Sequence, residues 1–222
     1  MTRLLFLLAA LAVLAAPALA QAPPAERERY AHAAPEAHAL YARLLDGGLV
    51  LYTRHERTDM RVLDRPPIDL ADCATQRNLS VAGVAVAREV GENLRDLGVP
   101  IGPVYASPTC RTRETARHLY GRSEVIPGLY EPGASAEAVS AALLAVLSRP
   151  VPAGQNAAVV AHISNLQALT GLRLGEGDTA VLDPSEADPG TGAPRVVGVV
   201  RSNAWNDLAL DVLFAPRAPG TE

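Results

Sequence analysis

The stretch Gly48-Leu-Val-Leu-Tyr-Thr53, running straight into Arg54-His55, decides the fold. A strand with one wet face alternates apolar and polar residues, whereas a strand covered on both faces has no polar side and reads as an unbroken apolar run. The pattern returns at Ala157-Ala-Val-Val-Ala161, which ends at His162. Pro103 to Ala106 and Ser123 to Ile126 read as two shorter strands. With helical patterns between them, these runs predict an α/β class: a mostly parallel central sheet flanked by helices on both faces.

Working outward, Val81, Val84, Ala85, Ala87, Val90 and Leu94 share one side of a helix, with Ser80 as its cap and Gly98 as its stop. Ser107-Pro108 supplies a cap and a first-position proline for a helix running to about Tyr120. Ala136 to Leu147 reads as another helix, and Ser164 is placed to cap one more after His162. Thr179 to Leu182 and Arg195 to Val200 are expected to pair as an antiparallel hairpin across a Pro- and Gly-rich loop, before a turn of helix around Trp205, which reads as a packing anchor. In open parallel sheets, ligands bind beyond the carboxyl ends of the strands, where helix N-termini converge. Three of the expected strand ends carry Arg54-His55, Ser107 to Arg111, and His162.

The N-terminal twenty residues carry one early charge, Arg3, then an apolar run from Leu4 to Ala16, then Pro17-Ala-Leu-Ala20. This predicts a secretory signal peptide over 1–20, cleaved before Gln21, because the run is shorter than the ~20 residues that span a bilayer. Residues 21–35, rich in Ala, Pro and charge, read as a flexible arm; 36–215 is expected to form one domain and 216–222 a tail. The mature protein is then periplasmic or secreted, without stable membrane insertion. A net charge of -4 with mixed signs implies neither nucleic acid nor an anionic membrane as partner.

Every basic residue among the twenty Lys and Arg positions is Arg. Without lysine there is no P-loop and no Schiff-base or pyridoxal chemistry, so any anion must be held by arginine. The two cysteines, Cys73 and Cys110, read in an exported chain as a disulfide rather than a metal site or free nucleophile. Closing that loop would stabilise the fold by about 3.5 to 4 kcal/mol in the chain-entropy account.

A histidine after a buried strand is by itself a weak signal. His55 has more around it: Arg54 precedes it, Thr58 follows, and His162 ends a second strand in a matching setting. Arg111 and Arg113 fall in the opening turns of a helix, where the macrodipole disfavours cations. For Arg113 a solvated side chain accounts for this, and for Arg111 a bound anion does, held by guanidinium and helix amides together.

The ordered set of Leu49-Val-Leu-Tyr-Thr-Arg-His55 with Thr58, Asn78-Leu-Ser80 through Gly83, Ala106-Ser-Pro-Thr-Cys-Arg111 with Glu114-Thr-Ala116, and Val159-Val-Ala-His162 resembles the histidine phosphatase superfamily in its phosphoglycerate-mutase-like branch. The segment Cys73-Ala-Thr-Gln-Arg-Asn-Leu-Ser80 together with Cys110-Arg111 is closest to exported bacterial members. The resemblance covers roughly Leu49 to Trp205. It implies a phosphohistidine intermediate on His55 and a phosphate pocket of Arg54, Thr58, Arg111 and His162, with no metal and no cofactor. It further implies a proton-donating carboxylic acid from a loop after the Arg111 helix. Glu131 is the candidate for that acid, with Glu124, Glu137 and Glu176 as rivals.

Chemistry agrees, since phosphoryl transfer asks for an in-line nucleophile and positive charge around the equatorial oxygens. His55 must be neutral at its attacking nitrogen, so its other ring nitrogen is expected to donate to a backbone carbonyl. Arg61, Gln76 and Arg77 are candidates for a rim that meets a multiply anionic substrate. Two positions depart from the family pattern: Glu56 stands where Gly or Ala is usual, and Ile163 where Gly is common. Glu56 would donate the proton, oppose phosphate, or point into solvent.

The expected activity is hydrolysis of a small phosphate ester, an envelope sugar phosphate among the candidates. The alternative is an inactive phosphate-binding module of the same fold. A mutase fits an exported protein poorly, and no metallohydrolase ligand spacing is present.

Overall fold

The structure, a computed structural model, describes residues 33–213. The expected signal peptide, most of the arm and the tail lie outside the described residues. Six strands form one sheet: β1 (Val50–Arg54), β2 (Ile101–Ala106), β3 (Glu124–Val125), β4 (Asn156–Ala161), β5 (Thr179–Ala187) and β6 (Pro194–Val200). Their spatial order is β3-β2-β4-β1-β5-β6. The first four run parallel, and the β5–β6 hairpin joins antiparallel beside β1. β1 and β4 therefore lie side by side at the centre, in register from Val50 opposite Ala157 to Arg54 opposite Ala161.

Helices cover both faces. The strand period of two sends Leu51 and Val181 to one side, where they pack with α1 (Pro35–Asp46), α2 (Val81–Asp96) and α6 (Ala204–Leu213) through Leu44, Val90, Leu94, Trp205 and Leu208. On the same side α3 (Cys110–Tyr120) sets Ala116 against Ala158 and Val160. Val50, Tyr52 and Val159 face the opposite side, against Leu143 and Leu147 of α4 (Ala136–Leu147) and Leu166 of α5 (Ile163–Thr170). Trp205 is 1% exposed, the anchor expected of it.

Two helix starts differ from the sequence reading. α3 begins at Cys110 with Thr109 as its N-cap residue, so neither Ser107 nor Pro108 opens it. The Ser107 hydroxyl is taken instead by a histidine, described below, and Thr112 turns its hydroxyl back to the carbonyls of Ser107 and Thr109. α5 has His162 itself at the N-cap, which places Ser164 inside the helix. The hairpin strand β5 is also longer than expected, reaching Ala187.

The Cys73–Cys110 disulfide is formed. It joins a short 3-10 turn, Cys73–Thr75, to the first residue of α3 and so ties the 56–80 loop to the helix carrying Arg111.

Candidate functional site

At the carboxyl end of β1 the His55 N–H bonds to the Ala161 carbonyl across the sheet (3.0 Å), which sets the ends of the two central strands level. His55 and His162 consequently meet edge to face, with ring centroids 5.5 Å apart. Both are buried. The His55 Nδ1–H donates to the backbone carbonyl of Glu56 at 2.9 Å, the kind of acceptor expected from the sequence, now identified. That bond fixes the tautomer and leaves a lone pair on Nε2. His162 Nε2 lies 2.9 Å from the Ser107 hydroxyl and 3.5 Å from that of Thr109, both at the end of β2.

Burial is the largest influence on both rings and lowers their proton affinity. The charges of Arg111, Arg54 and Arg77 push further in the same direction. His55 drops from 6.5 to about 4, the Glu56 carbonyl opposing the shift, and His162 falls well below its ordinary value. Both rings are neutral near pH 7. Neutrality gives His55 the electron pair that a nucleophile needs.

The three arginines are held at one end only. Arg54 donates from Nη1 to the Leu174 carbonyl (2.9 Å), and its Nη2 is 3.7 Å from Glu176. Arg111, buried in the first turn of α3, reaches Asp64 (3.2 Å) and the Arg77 carbonyl (3.3 Å) from Nη1. The Nε atoms of Arg54, Arg77 and Arg111 are buried without a hydrogen-bond partner. Buried unpaired donors are costly, and the Nε of Arg113, beside the disulfide, is in the same state.

Thr58 faces this region too, but its hydroxyl is engaged by Glu176 Oε1 at 3.0 Å. Of the candidate carboxylates, Glu176 is thus the one in contact with the expected phosphate-binding residues. Glu131 is exposed on the loop after Tyr130, whose ring packs 5.2 Å from that of His162 and 6.0 Å from the Arg111 guanidinium. Glu124 is exposed and paired with Arg149. Glu137, at the start of α4, has its proton affinity lowered by backbone and Ser135 hydrogen bonds, the wrong direction for an acid.

Several expectations are corrected. Arg61 does not line the rim: its side chain is 90% exposed and forked onto Asp59. Gln76 does not either, being buried and spent on the fold, accepting from the Cys110 N–H (2.8 Å) and donating to the Asp69 carbonyl (2.9 Å). Arg77 is the member of that trio whose charge reaches both histidines. Arg113 is not simply solvated, since its Nη2 rests 3.1 Å from the Cys110 sulfur.

Glu56 points inward, at 1% exposure, rather than into solvent. It accepts from the Ser202 hydroxyl (2.7 Å) and the Arg57 N–H (3.2 Å), and burial raises its pKa. Gly177 makes room for it: φ is +83°, and a Cβ there would come within 2.2 Å of Glu56 Oε1. The Gly177 N–H also reaches back to the carbonyls of Arg54 (3.2 Å) and His55 (3.1 Å). Sequence reasoning flagged Glu56 as a departure but had no signal for its partners, which lie 121 and 146 positions away in the chain.

Among the described residues, no group of three His, Cys, Asp or Glu side chains is arranged to hold a metal ion, and no helix is long and apolar enough to cross a membrane.

No family model and no curated protein matches this sequence. Solved structures do match. A phosphoserine phosphatase from Entamoeba histolytica, in complex with 3-phosphoglyceric acid, aligns over 71% of this chain and 98% of its own at 15% identity, with a TM-score of 0.50. The protein histidine phosphatase SixA complexed with tungstate covers 69% of this chain and 97% of its own at 20% identity, with a TM-score of 0.46. The mostly parallel α/β sheet with helices on both faces is the fold that this chain shares with that phosphoserine phosphatase.

Proposed function

We propose that this protein is an exported, metal-independent phosphomonoesterase that forms a phosphohistidine on His55. One observation carries the reading: a buried His55, neutral near pH 7 and fixed as its Nδ1–H tautomer, stands beside His162 under the charges of Arg54, Arg77 and Arg111. A phosphoryl group needs that combination of a lone pair in line and cations around its equatorial oxygens.

In the first half-reaction, the His55 Nε2 lone pair attacks phosphorus, the bond from phosphorus to the ester oxygen breaks, and that oxygen takes a proton from a carboxylic acid. Glu131 fills this role in the proposal, because its loop follows Tyr130 at the His162 ring. In the second, water attacks phosphorus, the P–N bond breaks with its electrons returning to His55, and the water proton passes to the same carboxylate. Arg54, Arg111 and His162 bind the equatorial oxygens in both halves, joined by Arg77 and by Thr58 once its hydroxyl leaves Glu176. Such preorganised donors carry most of the catalysis when little covalent chemistry is asked of the protein.

Export rests on the apolar run and Ala-Leu-Ala ending of residues 4–20. A small phosphorylated substrate met outside the cytoplasm, such as an envelope sugar phosphate, suits that location. The test is turnover of p-nitrophenyl phosphate by the protein from Gln21 onward, with EDTA present, against His55→Ala. Turnover lost in the variant supports the proposal. Phosphate binding without turnover in folded protein would instead establish the inactive module.

A further inference from the structure

A cavity of about 270 Å3 lies between α4, α5 and the segment preceding α4, lined by Tyr130, Glu131, Ala134, Val139, Ser164 and Ala168 among others. Tyr130 belongs to both this cavity and the histidine pair, for its ring sits 5.2 Å from that of His162. Its floor is made rigid by Asn165, which is buried and donates to the Leu129 carbonyl at 2.7 Å. Of the residues given a part in the phosphoryl transfer, Glu131 lies in this lining, and His55, Arg54, Arg111 and His162 do not.

We propose that the cavity receives the alcohol portion of the substrate, and that this portion is compact and carries no charge, as in the monophosphate of a small sugar or polyol. The inference rests on the phosphatase reading of the adjoining site. Size argues for it first. Sites for drug-sized ligands span roughly 300 to 1,000 Å3, so this space admits a single ring or short polyol and not a peptide segment.

Charge argues for it second. No arginine lines the cavity, and Glu131 is its one ionisable carboxylate. A second phosphate or a carboxylate on the substrate would find no cation in the cavity to offset its charge. The arginines whose charges reach the histidines are Arg54, Arg77 and Arg111, and Arg61 is paired with Asp59. Positive charge is therefore concentrated where one phosphoryl group sits, which replaces the expectation of a multiply anionic substrate. Small Ala134 and Ala168 side chains leave the room, Tyr130 lines it, and the Ser164 hydroxyl, which donates to Asn165 Oδ1 at 3.4 Å, keeps its lone pairs for a substrate hydroxyl.

The test fills the cavity from its exposed wall. Ala168 and Ala134 are exposed, so Ala168→Phe and Ala134→Phe add bulk without disturbing the core. The readout is the ratio of kcat/KM on glucose 6-phosphate to kcat/KM on phosphoramidate, whose leaving group is a lone nitrogen that needs no cavity. The ratio is expected to fall about tenfold or more in each folded variant. Wild type is expected to prefer glucose 6-phosphate over glucose 1,6-bisphosphate by about tenfold. An unchanged ratio in both variants, or a preference for the bisphosphate, overturns the cavity assignment while leaving the phosphatase reading intact. A folded wild type that hydrolyses none of the three overturns both.

Discussion

The Nδ1 of His55 is bound to the carbonyl of the very next residue, Glu56, whose own carboxylate is buried beneath the same loop and held by Ser202. One residue thus orients the imidazole through its backbone and anchors the loop through its side chain. The anchor reaches the start of α6, which no local sequence feature connects to β1.

Replacing Glu56 separates the two roles. Glu56→Gln keeps the shape and both bonding positions, so turnover of p-nitrophenyl phosphate should stay within about threefold of wild type. Because burial raises the Glu56 pKa, the folded state binds this proton more tightly than the unfolded chain does. The carboxyl therefore favours folding at low pH and opposes it above its folded pKa, so Gln should match or exceed wild-type stability at pH 7. Glu56→Ala, which strands the Ser202 hydroxyl and the Arg57 N–H, should lose about 1 to 3 kcal/mol. Urea denaturation of the three proteins at pH 7 reads both outcomes.

Gly177→Ala should damage the same loop from the other side. A methyl group there meets Glu56 Oε1 at 2.2 Å in a backbone conformation with φ of +83°. The expected cost is about 1 to 3 kcal/mol, with a fall in kcat as the His55–Glu56 turn shifts. A variant as stable and active as wild type would sink the idea that this contact holds the loop.

The pH dependence follows from His55. Its folded pKa of about 4 lies below its ordinary 6.5, so the unfolded chain binds this proton first as pH falls. Stability should decline from pH 6.5 down to about 4, by roughly 3 kcal/mol from this residue, and His162 acts in the same direction. The acid limb of kcat/KM should rise through pH of about 4 as free His55 loses its proton. Thermal melts and a kcat/KM profile between pH 3.5 and 8 would check both signs.

Two arginines predicted alike from sequence should behave differently. Arg77→Ala should weaken competitive inhibition by inorganic phosphate about tenfold or more, given the strength of charge-assisted hydrogen bonds. Arg61→Ala, exposed and paired only with Asp59, should leave that constant within about twofold. Equal effects would place Arg61 at the site after all.

Replacing both Cys73 and Cys110 by Ser should destabilise the protein by about 3 to 4 kcal/mol. Because the bridge joins the 56–80 loop to the first residue of the Arg111 helix, phosphate affinity should fall as well. Chemical denaturation and phosphate inhibition of the variant measure the two effects separately.

The apolar runs at β1 and β4 were legible because a strand covered on both faces has no polar alternation, and β1 and β4 are in fact the two central neighbours. The helix limits at Ala136–Leu147 were equally legible, with Ser135 capping in the local manner. Ser107 misled as a cap because a local rule cannot see His162, which claims that hydroxyl from 55 positions away. Gln76 and Arg61 misled for a related reason: polarity next to a motif does not say whether a side chain faces the pocket, the fold or solvent.

Sequence by itself determined the strand–helix alternation, the ends of the strands and the residue types gathered there, since backbone propensity and burial pattern are written locally. Tertiary structure alone decided which nitrogen of His55 is free, that Glu56 turns inward, that Arg77 rather than Arg61 or Gln76 reaches the histidines, and that a space without arginine opens beside Tyr130. Each of these depends on hydrogen bonds, charges and packing between segments far apart in the chain, and only the closed sheet brings such partners together.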